Sequence, residues 1–316
     1  WGLFMSENID KKQEVETTGH EWDGVKEFNN PLPRWWLLSF YGTVIFSLIY
    51  WVLYPTWPLP NNWTKGIKTV QVKEGGEVKE LNWNTRTLLA EQLQSSTEAK
   101  NRDDFYGKLG ALTKLEDIQA TENEGLKEFA LSTGAVMFAD NCATCHGAGG
   151  EGKFGLYPNL TDDAWLWGGH YSEIEKTITM GRTGNMTPAS LTGLTDDEIT
   201  DVSKYALTLS GNYTADEGSE RGQAIFEGKG TCYTCHGADG KGVITMGGAN
   251  LTDQIWELVP VFDAKTDDEK VAMIRTQVIN GVTPATDRVM PTWKDRLTKE
   301  QIRALAVYVH ELGGGQ

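Results

Sequence analysis

Hydrophobic and polar positions divide this chain into one apolar block and a long patterned remainder. Trp35 to Tyr54, WWLLSFYGTVIFSLIYWVLY, contains no charged residue. Twenty residues at 1.5 Å each reach about 30 Å, the thickness of a bilayer's hydrocarbon core. Trp35 and Trp36 lie at one end and Trp51, Tyr54 and Trp57 at the other, where aromatic belts form. Pro31-Leu32-Pro33 punctuates the entry, and Pro55 to Pro60 turns the chain away. The block therefore predicts a transmembrane helix with flanks over 31–58. Beyond it, Gly75-Gly76 marks a turn and Thr87 to Leu93 reads as helix. Phe105, Leu109, Leu112 and Leu115 recur at three- and four-residue steps, an amphipathic stripe whose ordinary role is packing. Residues 59–130 read as a linker or docking region.

From about residue 131 the pattern repeats. Gly134-Ala135-Val136-Met137-Phe138 opens one copy and Gly222-Gln223-Ala224-Ile225-Phe226 the other. Asn159-Leu160-Thr161-Asp162 returns as Asn250-Leu251-Thr252-Asp253, with Trp165 and Trp256 following. Ile178-Thr179-Met180-Gly181 corresponds to Val278-Ile279-Asn280-Gly281. Each copy closes with a helix that starts as a capping box, Thr195 with Glu198 and Thr298 with Gln301. Matching Tyr205 and Tyr308 lie on these closing helices. A short polar link, Ser210 to Ser219, divides the chain into domains over 131–212 and 213–316. The predicted fold is all-α: a single transmembrane helix followed by two tandem helical domains, each with its own opening and closing helices packed together.

The chemistry of the repeat lies in Cys142-Ala143-Thr144-Cys145-His146 and Cys232-Tyr233-Thr234-Cys235-His236. Cys-x-x-Cys-His is the attachment pattern of a covalent c-type haem: two thiols form thioethers and the histidine ligates the iron. A redox dithiol or a zinc site pooling both pairs would use the same cysteines. Neither accounts for the histidines or for the repeated surroundings. All four cysteines of the chain are in these motifs. For the second axial ligand, Met186 before Thr187-Pro188 aligns with Met290-Pro291, whereas Met180 aligns with Asn280. The expected pairs are His146 with Met186 and His236 with Met290. The remaining histidines, His20, His170 and His310, have no matched partner and read as surface or locally hydrogen-bonded groups. Trp165 and Trp256 are expected as pocket walls. Thioether ligation favours ferrous iron and raises the potential relative to two imidazoles. The two helical domains are thus expected to be tandem class I cytochrome c domains, and with both axial positions closed the predicted role is electron transfer.

Composition narrows the partners. The formal charge is −15 over 316 residues, which disfavours nucleic acid and favours a basic or locally basic protein partner. Lys26 and Arg34 before the span balance Lys65 and Lys68 after it, so charge gives little orientation. The haem motifs all follow the span. Because bacteria attach c haem outside the cytoplasmic membrane, the carboxyl-terminal side is expected in the periplasm and the polar segment 1–30 in the cytoplasm. The apolar Trp1 to Met5 fits either a trimmed terminus or the tail of a preceding hydrophobic helix.

Asp23-Gly24-Val25-Lys26-Glu27, leading into Asn30-Pro31-Leu32-Pro33-Arg34-Trp35-Trp36, a span and two haem motifs, resembles one family over nearly the whole chain. It is similar to the diheme membrane-anchored subunit of cbb-type, C-family haem–copper cytochrome c oxidases. The resemblance implies an inner-membrane electron conduit with two c-type haems. Its donor would be a soluble or membrane-bound cytochrome c. Its partners would be a monohaem cytochrome c subunit and a catalytic subunit holding haem b and copper, which reduces oxygen and pumps protons. Some family members have two membrane helices, in keeping with an apolar tail at Trp1 to Met5. The alternative is the diheme subunit of a periplasmic dehydrogenase or reductase, or a membrane-tethered electron shuttle; the entry motif favours the oxidase.

Overall fold

The computed structural model describes residues 16–283 and 288–314. Trp1 to Met5 lie outside them. The chain divides into two compact units, Trp1–Lys100 and Asn101–Gln316.

In the first unit, β1 (Thr17–Trp22) pairs antiparallel with β2 (Val25–Phe28), and the chain then enters helix α1 (Arg34–Leu53). No residue of α1 is buried, and the helix is long and apolar enough to cross a membrane. Its hydroxyls are satisfied within the helix: Ser39 Oγ donates to Trp35 O, Thr43 Oγ1 to Phe40 O and Ser47 Oγ to Thr43 O. That suits a helix with no water along its sides. The short ribbon β3 (Pro58–Leu59) and β4 (Asn62–Trp63) follows, and Ile67 N–H donates to Val52 O, pairing a carbonyl of the last turn. Gly66 permits this approach: at φ +71° it places hydrogen where a Cβ would lie 2.2 Å from Leu53 O. Six-residue strands β5 (Thr69–Glu74) and β6 (Glu77–Asn82) form a hairpin around Gly75-Gly76, both at positive φ. Helix α2 (Thr85–Ser95) packs on β5, with Gln94 bonded to both the N–H and the carbonyl of Lys73.

The second unit is mostly helical. Its elements are α3 (Thr97–Ala111), α4 (Glu124–Asn141), α5 (Ala143–His146), α6 (Tyr171–Met180), β7 (Arg182–Thr183), α7 (Ala189–Thr192), α8 (Asp196–Leu209), α9 (Glu217–Glu227), α10 (Tyr233–His236), α11 (Asp267–Asn280), β8 (Val289–Met290) and α12 (Lys299–His310). The Phe105 stripe belongs here. Leu109 and Leu115 are fully buried, with Phe105 and Leu112 packed beside them, in the same core as Phe138, Ile174 and Leu305. Residues 101–130 thus extend the helical core and are not a separate linker.

The opening and closing helices exchange partners. Helix α4 packs against α12, and α8 packs against α9. This corrects the expectation that each repeat closes on itself. A Cβ on Gly134 of α4 would come within 2.5 Å of Ala304 O and Tyr308 Cβ on α12. A Cβ on Gly222 of α9 would come within 2.1 Å of Asp201 O and 2.9 Å of Tyr205 Cβ on α8. Beside each glycine a buried phenylalanine meets the same tyrosine: Phe138 with Tyr308 at 5.4 Å between ring centroids, and Phe226 with Tyr205 at 5.3 Å. The glycine–tyrosine–phenylalanine interlock is the same in both copies, so it allows either pairing. The link chooses. Only residues 210–216 separate α8 from α9, a length that favours an antiparallel helical hairpin. With α8 engaged, α12 is left for α4.

Two lobes result, each assembled from both repeats. One contains α3, α4, α6 and α12; the other contains α8, α9 and α11. Between them β7 pairs antiparallel with β8, Arg182 opposite Met290, and Met186 pairs with Val282 through two backbone hydrogen bonds of 2.8 and 2.9 Å.

Candidate functional site

Both Cys-x-x-Cys-His motifs form a single helical turn, the first directly after its opening helix and the second after a four-residue connection. Cys142 ends α4, its N–H donating to Phe138 O, and α5 carries the chain to His146. In the second copy α9 ends at Glu227, residues 228–231 intervene, and Cys232 is the N-cap of α10. Gly147 and Gly237 end the turns at φ +80° and +78°, a conformation that turns the following loop back beneath the histidine. The four thiols are not joined in disulfides, and among the described residues no three His, Cys, Asp or Glu side chains converge as a metal cluster. The pooled zinc site therefore has no geometric basis here. Burial raises the Cys142 thiol to about 11, and raises Cys232 as well.

Each histidine is oriented by one backbone carbonyl. Nδ1 of His146 lies 3.2 Å from Pro158 O, and Nδ1 of His236 lies 2.8 Å from Ala249 O. Pro158 and Ala249 immediately precede the matched Asn159 and Asn250. A carbonyl only accepts, so the neutral ring carries its proton on Nδ1 and leaves the Nε2 lone pair available to a metal. Burial lowers the pKa of both imidazoles and favours this neutral form, opposed in part by the carbonyl contacts. The loops are held identically. Asn159 Oδ1 accepts from Thr161 N and Oγ1, and Asn250 Oδ1 from Thr252 N and Oγ1. Asp162 and Asp253 then accept from Ala164 N and Ile255 N.

These features suit covalent c haem: two free thiols and an imidazole nitrogen on one turn, against a buried phenylalanine. Two further donors are suited to its carboxylates, because the indole Nε1 atoms of Trp165 and Trp256 are buried and make no hydrogen bond.

Met186 and Met290 sit in different surroundings. Met290 packs in the core that also holds Cys142, Ala143, Leu160 and Trp165, on the His146 side. Met186 lies against α11, where Gln277 Nε2 is 3.8 Å from its sulfur. Helix α11 shares its core with Leu251 and Trp256, which follow His236 in sequence. The crossing is reciprocal and tight. A Cβ on Gly181 would lie 2.4 Å from Met290 O, and one on Gly281 would lie 2.3 Å from Met186 O. The crossing at β7 and β8 thus sets each methionine beside residues of the other repeat. Met180 and Met246 are half-exposed. His310 stacks on Tyr171 at 3.8 Å, and His170 begins α6.

Sequence reading missed the seam between the lobes. Gly155 N–H donates to Glu257 O, and Asn159 N–H to Glu257 Oε1 at 3.2 Å. Arg288 Nη2 donates to Gly155 O, Phe154 meets Phe262 at 5.8 Å, and Arg182 lies over the Trp167 ring at 4.5 Å. Burial, reinforced by the negative charges of Asp162 and Asp253, pushes the Glu257 carboxyl up to about 7 despite the N–H from Asn159. No repeat or motif marks this glutamate, because its environment comes from two distant loops.

Comparison with known proteins agrees with this architecture. Residues 14–61 match the family model described as the N-terminal domain of cytochrome oxidase-cbb3, FixP. Residues 129–205 and 218–309 match cytochrome c oxidase, cbb3-type, subunit III. The cbb3-type cytochrome c oxidase subunit FixP of Azorhizobium caulinodans is 43% identical, over 95% of this chain and 94% of that one. The subunits CcoP of Azospirillum brasilense and Cereibacter sphaeroides are each 38% identical, over 96% and 97% of this chain and the same shares of their own. Matched by both family models and by these relatives along nearly its whole length, the chain belongs to the FixP/CcoP family of cbb3-type cytochrome c oxidase subunits.

Proposed function

We infer that this chain is the electron-transfer subunit of a cbb3-type terminal oxidase, carrying two c-type haems on the periplasmic side of the inner membrane. The observation that carries the reading is the duplicated histidine geometry, an Nδ1–carbonyl contact at the same place in both repeats, behind two free thiols. When bound, each haem supplies a one-electron ferric/ferrous couple. Cys142 and Cys145 hold one porphyrin, Cys232 and Cys235 the other. His146 and His236 present Nε2 to the irons. Met290 is the partner of His146 and Met186 the partner of His236, a crossed set supported by the packing of each thioether with the other repeat's core. With an imidazole and a thioether of the chain holding each iron, the haems would serve electron transfer and leave oxygen reduction to another subunit.

The chain's residues orient the cofactors, exclude water and tune their potentials. The seam at Gly155, Asn159 and Glu257 ties the two haem loops together through hydrogen bonds. Helix α1 anchors the unit in the bilayer, and the acidic surface suits a basic cytochrome c donor. A monohaem cytochrome c subunit and a catalytic subunit with haem b and copper complete the assembly in this reading. Purification of the intact membrane complex tests it. Two c haems per chain with co-isolated b haem and copper are expected; a flavin or quinoprotein partner would instead identify a dehydrogenase subunit.

A further inference from the structure

Past the end of α1 the chain folds back onto the helix it has just left. The Trp57 ring meets Trp51 edge-on at 4.8 Å between centroids, and Ile67 N–H donates to Val52 O at 3.1 Å. Trp51 and Val52 belong to the last turn of α1, so both ends of the segment 57–67 are held at that level. Tyr54 meets Trp83 at 4.3 Å, and Lys68 Nζ lies 3.5 Å above the Trp83 ring, which fixes the exit as well. Between these ties runs the β3–β4 ribbon, turning at Pro60-Asn61. Its large apolar side chains are left uncovered: Trp57 is 48% exposed, Leu59 52%, Trp63 59% and Ile67 75%.

The backbone around the ribbon is nearly self-sufficient. Pro55, Pro58 and Pro60 carry no N–H. Thr64 Oγ1 accepts from the N–H groups of Thr56 and Trp57, Trp57 O from Thr64 N, and Asn62 Oδ1 from Trp63 N. Charge also changes sign here. The chain has 44 acidic residues, yet none lies between Trp35 and Lys73, where Lys65, Lys68 and Lys73 are the only charges. Such a stretch is complementary to anionic lipid headgroups.

Depth follows from the same contacts. Open ribbon edges do not enter the hydrocarbon core, where free carbonyls find no partner. Standing upright, the ribbon would carry its tip about 10 Å beyond Trp57, at about 3.3 Å per residue. That is past a headgroup layer only about 5–8 Å deep, so Leu59 would meet water. Lying along the membrane plane keeps every apolar side chain in the layer that indoles favour. The pleat also argues for a fluid partner. Trp57 and Leu59 share one face, whereas Trp63, paired with Pro58, is on the other. Lipid surrounds both faces; a single protein surface covers one.

Taking α1 as a membrane span, we propose that β3–β4 is a second membrane contact, lying in the headgroup layer of the periplasmic leaflet. Trp57, Leu59, Trp63 and Ile67 meet the lipid there, and Lys65 meets anionic phosphates. Anchored on both sides of the last turn, the ribbon fixes the rotation and tilt of α1.

The test places the photo-crosslinking residue p-benzoylphenylalanine singly at Leu59 and Trp63 of the full chain in its native membrane. Adducts are identified by mass spectrometry. Val44, Ile45 and Phe46, successive positions around α1, serve as reference sites. At positions 59 and 63 lipid adducts should outnumber adducts with other protein chains several-fold. Protein adducts in excess, or no adduct of either kind, would overturn the proposal. Absence of lipid adducts at all three reference sites would instead overturn the span reading on which it rests. Phosphatidylglycerol should be enriched among the lipid adducts at position 63 relative to the membrane, and K65Q should remove that enrichment. Equal enrichment with and without Lys65 would overturn the phosphate contact.

Discussion

The lobes around His146 and His236 are built on one interlock but supported differently. Gly134, Phe138 and Tyr308 in one, and Gly222, Phe226 and Tyr205 in the other, meet in the same way. Around the first lies a broad core that recruits Leu109, Leu115 and Ile118 from the segment before the repeat. It also contains Arg303, which pairs with Glu175 at 3.0 Å and donates to the carbonyls of Leu109, Gly110 and Leu112 at the end of α3. Around the second is a smaller core of Val259, Val261, Val271 and Ile274, and its ion pair, Arg221 with Asp201, has an exposed arginine. Duplication therefore preserved the helix contact beside the haem turn, while the outer support of each lobe diverged.

The largest effect should come from breaking the shared interlock. Gly134→Val and Gly222→Val each drive a side chain into a backbone carbonyl of the facing helix, and neither helix can yield without leaving the core. Each should reduce haem retention and destabilise the protein by about 3 kcal/mol or more, read by thermal unfolding and haem content. If only one glycine mattered, the equivalence of the two contacts would be wrong. Arg303→Ala sharpens the contrast in support. Removing one member of a buried, hydrogen-bonded ion pair costs about 3–5 kcal/mol, and here it also strips three carbonyls of their donor. Arg221→Ala, at an exposed guanidinium, should change unfolding little.

The smallest effect is at the seam. Folding raises the Glu257 carboxyl from an ordinary value near 4.5 to about 7, so the folded state binds a proton more tightly than the unfolded one. This contribution is favourable at low pH and is lost as pH rises between those two values. Glu257→Gln should flatten that part of the stability profile, between about pH 4.5 and 7. An unchanged slope would show that the carboxylate ionises freely at the seam.

Much of this was legible in the chain. Period, caps and the charge-free run located α1, α8 and α12, and the pentapeptides located both haem turns. The hairpin β5–β6 was not legible, and it departs from the all-α expectation: Val70, Val72, Val78 and Leu81 flank the Gly-Gly turn, but a turn alone does not distinguish a hairpin from a loop. The exchange of helices was not legible. Gly134 and Gly222 fit Tyr205 and Tyr308 equally, so local complementarity gives two solutions, and only the short 210–216 link breaks the tie. The methionines follow from that same ambiguity. Aligning the repeats correctly marked Met186 and Met290 as equivalent, yet equivalence does not reveal which lobe each loop enters. The backbone crossing at Arg182–Met290 and Met186–Val282 depends on contacts about a hundred residues apart.

The crossed ligand set is the central claim, and a single-haem background tests it most directly. With Cys232 and Cys235 replaced by alanine, only the haem at Cys142 and Cys145 remains, and its ferric methionine–iron charge-transfer band can be followed alone. Met290→Leu on this background should abolish the band, and Met186→Leu should leave it intact. Loss of the band with Met186→Leu and its survival with Met290→Leu would contradict the account.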